Sequence, residues 1–388
     1  MFRSSQAKTG KPPVVEAGPD LLDETVSLRA IIEEQKRIHV VYVHGIKAEG
    51  PGASKALITF LVSQLGFREP GVFHDTRLHL GPAPAQATYF DEPIFQGSDW
   101  NDAQPFVRHH RLVGQGGTEV LVDEINYWPL LFPLKARFLL APEHDLAGDD
   151  EKHLSLVQQT TKPFANWLRS PWNRHLRDPI RGGHAARLNR DVKFSIMNWG
   201  LSDAVVALGP MRAYLNHAME LAFGAAKDHG DPAIDKFVIM SESLGSFVVL
   251  DAMDSKPTVI DVMDRTDYLY FFANQVALLE LARIQGLPAA ISPIRAAAAV
   301  TPPRPSPYHM LVRWAAPKPS IVSRPKQIIA FSDPSDVLTY RLPAIRNVTV
   351  VNLYDRNTPK LFFGLFVDPG KAHLGHLENR AVWDVLQR

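Results

Sequence analysis

The 388-residue chain contains no cysteine. Disulfides, thiolate nucleophiles, cysteine-ligated zinc and iron–sulfur clusters are therefore excluded, and cysteine usage leaves no sign of the redox compartment. An excess of one charge is lacking too: 42 Lys and Arg stand against 41 Asp and Glu, a formal net charge of +1. No global field draws such a protein to nucleic acid, so no nucleic-acid partner is expected. No apolar run reaches the roughly 18 residues that suggest a membrane span. Residues 1–20 lack the apolar stretch of a secretory leader. No transmembrane segment is expected, and a cytoplasmic location is the default expectation. P-loop, EF-hand and HExxH patterns are absent, so neither a metal nor a cofactor is expected.

What is present suffices for a large core: 45% of residues are hydrophobic and 21% charged, an ordinary globular balance. Residues 1–20 read as an arm broken by Gly10, Pro12, Pro13, Gly18 and Pro19. A helix follows, with Asp20 as its cap and Leu21, Leu22, Val26, Ile31 and Ile32 as its apolar stripe. Residues 38–46, IHVVYVHGI, form a β-branched run without alternation, as in a strand covered on both faces. Further strands are expected at 118–128, 235–241, 268–273, 327–332 and 348–354. Helical patterns fall between them, notably at 210–226, 246–253 and 377–386. A Pro-rich loop is expected at roughly 287–325. Strand–helix alternation of this kind predicts an α/β protein with a mostly parallel, doubly wound sheet.

Two stretches, 71–117 and 132–209, break the alternation. Five of the seven tryptophans (Trp100, Trp128, Trp167, Trp172 and Trp199) lie in or beside them. The domain reading is a 1–37 arm and helix, a core of 38–70, 118–131 and 210–388, and an inserted helical or loop cap from the two remaining stretches. The tryptophans suit either ordinary core or a substrate cap.

The chemistry-bearing stretch is Ser241-Glu242-Ser243-Leu244-Gly245. It follows the nucleophile-elbow pattern G-x-S-x-G with Ser in place of the first Gly. A strand enters it and an apolar helix leaves it, as the pattern requires; Ser243 as a simple helix cap is the plainer alternative. Acyl transfer needs two backbone N–H donors for a developing oxyanion. Leu244, at the helix start, and Ile46, after His44-Gly45, are the candidates. Asp333 and Asp336 follow the strand at 327–332, and His373 and His376 precede the last helix, giving the chain order Ser, Asp, His.

In these residues the chain resembles the α/β-hydrolase superfamily, in its lipase- and esterase-like branch, over about 38–66 and 236–388. The resemblance implies Ser243 as nucleophile, His373 as general base, Asp336 as its carboxylate partner, and Ile46 and Leu244 as the oxyanion hole. Asp333 and Asp355 stay open as alternatives for the acid, and His376 for the base. The implied activity is cofactor-independent hydrolysis of a small-molecule or lipid-like carboxylic ester with an apolar acyl or alcohol part. An amidase, a thioesterase or a silent ligand-binding protein are the alternatives. Oligomeric state is not legible.

Two further clusters are read as structural. His109-His110, between Arg108 and Arg111, has no carboxylate at ligand spacing and reads as a solvated loop. Asp123-Glu124 reads as a salt-bridged strand end.

Overall fold

The computed structural model describes residues 15–16, 25–45, 51–83, 88–89, 92–93, 95, 99–135, 200–231, 236–281, 305–317, 325–357 and 369–388. In chain order the strands are β1 (Val15–Glu16), β2 (Arg37–Val43), β3 (His74–Arg77), β4 (Thr88–Tyr89), β5 (Glu92–Pro93), β6 (Phe106–Val113), β7 (Glu119–Asn126), β8 (Lys236–Glu242), β9 (Thr266–Phe272), β10 (Lys326–Ser332) and β11 (Val348–Tyr354). Nine form one sheet in the order β1-β11-β10-β9-β8-β2-β7-β6-β3, while β4 and β5 pair separately. Every neighbour pair from β11 across to β7 is parallel. The pairs at the two margins are antiparallel. The sheet is α/β and mostly parallel, with helices on both faces.

The lack of alternation in the central strands has its cause in this double cover. Ile38, Val40 and Tyr42 of β2 face one core with the helices Leu28–Gln35, Lys55–Ser63 and Arg380–Leu386. Val41 and Val43 face the other, with Arg212–His229, Leu244–Ala252, Pro257–Asp264 and Pro307–Ala315. Strand order runs outward in both directions from the β2–β8 pair. The crevice beyond the carboxyl ends at such a switch point is where open α/β sheets bind ligands.

Several expectations need correction. The 71–117 stretch is not a cap apart from the sheet, because β3 and β6 within it extend the main sheet. The β6–β7 hairpin pairs over its full length, from Phe106–Asn126 to Val113–Glu119. The His109-His110 pair is therefore strand, not loop, and both residues are buried. The expected Pro-rich loop contains the helix Pro307–Ala315, started by Pro307 in its first turn and by Ser306, whose side chain accepts from His309 N–H. The first helix begins at Leu28 with Ser27 as cap; Asp20, Leu21 and Leu22 lie outside the described residues.

Trp100 belongs to the core. Its ring packs edge-on against Phe95 and Tyr214, and its Nε1–H donates to the Gly81 carbonyl at 2.7 Å. Trp128 opens the helix Trp128–Lys135. Trp167, Trp172 and Trp199, with most of the 132–209 stretch, lie outside the described residues. Among the described residues no helix is long and apolar enough to cross a membrane.

Candidate active site

Strand β8 delivers Ser243 into a turn and the helix Leu244–Ala252 starts at the next residue. Ser243 has φ +50° and ψ −120°, a conformation that L-residues avoid and that persists only when the surroundings enforce it. The enforcement is visible. Ser243 N–H donates to the Phe272 carbonyl at 2.8 Å, and Ser246 Oγ–H donates to the Ser243 carbonyl at 2.7 Å.

Small residues around the turn answer a packing demand. A Cβ at Gly245 would stand 2.6 Å from the carbonyl oxygens of Val43 and His44. A Cβ at Gly45 would stand 2.5 Å from Ser243 Cβ. The end of β2 and the β8–helix turn thus touch through glycine backbones. Ser241 is wholly buried, and among the described residues its hydroxyl has no hydrogen-bond partner. Its service is small volume.

Three of the residues singled out in the sequence meet here. Ser243 Oγ–H donates to His373 Nε2 at 2.6 Å, and His373 Nδ1–H donates to Asp336 Oδ2 at 2.6 Å. All three are buried. This tautomer follows from the partners: a carboxylate can only accept, so Nδ1 carries the proton and Nε2 is free to accept the serine's.

Asp336 is fixed by two more donors, the Leu338 N–H to Oδ1 at 2.9 Å and the Thr339 hydroxyl to Oδ2. Burial pushes its carboxyl up, but the bonds from His373, Thr339 and Leu338 outweigh that and hold it below the ordinary value. It is an anion at neutral pH.

The alternatives occupy separate places. Asp333 accepts Ser335 N–H and Asn357 N–H, both at 2.8 Å, and so ties the loop after β10 to the segment after β11. His376 donates Nδ1–H to Asp355 at 2.9 Å, forming a second buried His–Asp pair. Burial alone would lower the His376 pKa, yet Asp355 raises it above the ordinary histidine value. Neither Asp333 nor His376 forms a hydrogen bond to Ser243 or to the Asp336 carboxylate among the described contacts.

Leu244 is the first helical residue, where the N–H groups lack intrahelical partners and the helix dipole favours negative charge. Ile46 lies outside the described residues. The preceding His44-Gly45 is held firmly. The His44 ring stacks on Tyr127 at 4.1 Å, accepts the Tyr127 N–H at Nε2 (3.2 Å) and donates Nδ1–H to the Gly45 carbonyl (2.7 Å). Tyr127 O–H donates to the His44 carbonyl at 2.9 Å. Burial depresses the His44 pKa to about 4, so the ring is neutral and serves as a brace.

Thr339 and Tyr127 were missed by sequence reasoning. Thr339 had a usable signal, three residues beyond a candidate acid. Tyr127 had none, because its contact spans two strands. Glu124 is likewise not a salt-bridged end: it accepts the N–H groups of Gly52 and Ser54 and the Ser54 hydroxyl, holding the loop that leads into the helix Lys55–Ser63.

Comparison of the chain with protein-family models and with curated proteins gives no match in either.

Proposed function

We propose that the protein is a serine hydrolase of the α/β-hydrolase type that cleaves carboxylic esters with an apolar acyl or alcohol part. The observation that carries this reading is the continuous Ser243–His373–Asp336 hydrogen-bond chain, built on a strained strand-to-helix turn. A helix-capping serine needs neither that conformation nor a histidine on its hydroxyl.

In the proposed reaction His373 Nε2 takes the Ser243 hydroxyl proton as Oγ attacks the ester carbonyl carbon. The carbonyl oxygen becomes an oxyanion facing the Leu244 N–H and, by the resemblance, that of Ile46. Collapse expels the alcohol, which takes the proton from His373 and leaves the acyl group on Ser243. Water then repeats the sequence, giving its proton to His373, and the acid product departs as Ser243 regains its hydrogen. Asp336 stays ionised throughout and stabilises the protonated imidazole.

A fluorophosphonate probe, together with a panel of p-nitrophenyl esters of rising acyl length, tests the reading. Labelling and turnover that both vanish in Ser243→Ala support it. A folded wild-type protein that neither labels nor turns over any ester would make the chain a ligand-binding relative instead.

A further inference from the structure

We propose that His39, Asp123 and His229 form a binding site for one divalent transition-metal ion of the zinc class, separate from the serine site. Asp123 sits in the middle of β7, completely buried. Around it stand His39 from β2 and His229, the last residue of the helix Arg212–His229. One ligand atom from each of the three lies within 4.8 Å of the other two. Tetrahedral zinc with metal–ligand distances of about 2.0–2.2 Å separates its donors by roughly 3.4 Å. Shifts of about an ångström or less therefore turn this cluster into a coordination shell.

The donors already converge. Asp123 Oδ1 faces His229 Nδ1 at 2.6 Å, and Oδ2 faces His39 Nδ1 at 3.3 Å. Without a metal each imidazole directs an Nδ1–H at the Asp123 carboxylate; a metal bound at Nδ1 takes the place of that hydrogen bond, and the neutral ring carries its proton at Nε2 instead.

A supporting contact is also in place. His109, paired with Asp123 across the β6–β7 hairpin, donates Nδ1–H to Oδ1 at 2.7 Å, while its Nε2 meets the Thr76 hydroxyl at 3.0 Å. A carboxylate ligand oriented in this way, by a ring that is itself fixed, is the usual outer support of a metal site.

Three protein ligands leave a fourth position. His229 and His109 line a cavity of about 720 Å³ together with His74, Thr76, Glu220 and Asp228. The cavity meets the cluster at His229, while His39 and Asp123 are wholly buried behind it, so an ion would enter past the His229 ring. Two imidazoles and one carboxylate select zinc-like ions; calcium and magnesium require oxygen ligands. His39 lies five residues before His44, so at about 3.3 Å per residue the cluster is some 16 Å along β2 from the HisGly turn. An ion here clamps the end of the long helix to the sheet and takes no part at Ser243.

The sequence hid this site. His109 had no carboxylate near it in the chain because its partner arrives across the hairpin.

The test uses the full chain, stripped with a chelator and titrated with Zn²⁺ against a chromophoric competitor, and with Co²⁺ while following its visible absorption. One equivalent of Zn²⁺ and intense tetrahedral-type Co²⁺ bands are expected. His229→Gln, altered at the cavity wall, should abolish stoichiometric uptake with an unchanged circular dichroism spectrum. His109→Gln should weaken affinity by about 10–100-fold. His79→Ala, on the cavity rim outside the cluster, should bind like wild type. Failure of the wild type to take up an equivalent at micromolar Zn²⁺, or uptake that survives His229→Gln, overturns the proposal and leaves a hydrogen-bonded aspartate cluster.

Discussion

At Ser243 the backbone dihedrals and the side-chain hydrogen bond make separable contributions, and substitutions can part them. Ser243→Ala keeps the turn but deletes the oxygen proposed to attack, so kcat should fall by a factor on the order of 10³ or more. Ser241→Ala removes only a hydroxyl that has no partner among the described residues, and should cost little. Single-turnover rates with a p-nitrophenyl ester distinguish the two; equal losses at both positions would remove Ser243 from its role. The acid can be tested in the same manner. Asp336→Asn leaves the shape but permits the wrong imidazole tautomer, with a kcat loss of up to about 10⁴. Asp333→Asn weakens a loop tie instead, and should show mainly as a lowered melting temperature. If the two substitutions exchange effects, the acid is Asp333.

The turns at the ends of β2 and β8 work as one element, because their backbones are in contact. Gly45→Ala places a methyl 2.5 Å from Ser243 Cβ and 2.9 Å from the Glu242 carbonyl oxygen, neither of which is the far end of a flexible chain. One turn must move. A displacement near 1 Å at a reacting group costs about 10² in rate, so Gly45→Ala should lower kcat by about that factor while far-ultraviolet circular dichroism stays unchanged. Wild-type kinetics from this variant would mean that the contact does not position Ser243 for the proposed attack. Elements of this kind were readable in the sequence where the signal was local. The buried strands show as β-branched runs, the strand-to-helix turn as small residues around Ser243, Asp336 as a carboxylate just after β10, and His373 as a histidine ahead of the last helix. What escaped was non-local. His109 and His110 are polar residues on a strand whose partners lie across a hairpin, so period and composition both read as loop. The strands β3 and β6 were hidden for the same reason, and the helix Pro307–Ala315 was masked by its Pro-rich flanks.

Across the whole molecule, buried ionisable groups set opposing pH limits on stability. On the acid side, burial holds His44 neutral with a pKa near 4, below its unfolded value of about 6.5. The unfolded chain therefore binds the extra proton, and stability falls as pH drops from 6.5 toward 4. Asp336 and Glu124, both held below their ordinary values, extend this limb to lower pH. On the alkaline side stands Glu242, beside Ser243. Burial raises its pKa from 4.5 to about 7, with further increments from Glu124 and Glu378, against the opposing pull of Tyr42 and His376. Here the folded state retains the proton that the unfolded chain has released, so stability is lost as pH rises from 4.5 to 7, by at most about 3 kcal/mol. His376, raised by Asp355, adds stability below 6.5 that is lost as pH climbs through its folded pKa. The two limbs place the stability maximum on the mildly acidic side of neutrality. Glu242→Gln keeps the shape and removes the ionisation. Its melting temperature should gain on wild type steadily between pH 5 and pH 8, the gap levelling off once wild-type Glu242 is ionised. Differential scanning calorimetry across that range measures the gap; a difference that is constant with pH, or that narrows toward pH 8, would show that Glu242 is ionised in the folded protein throughout.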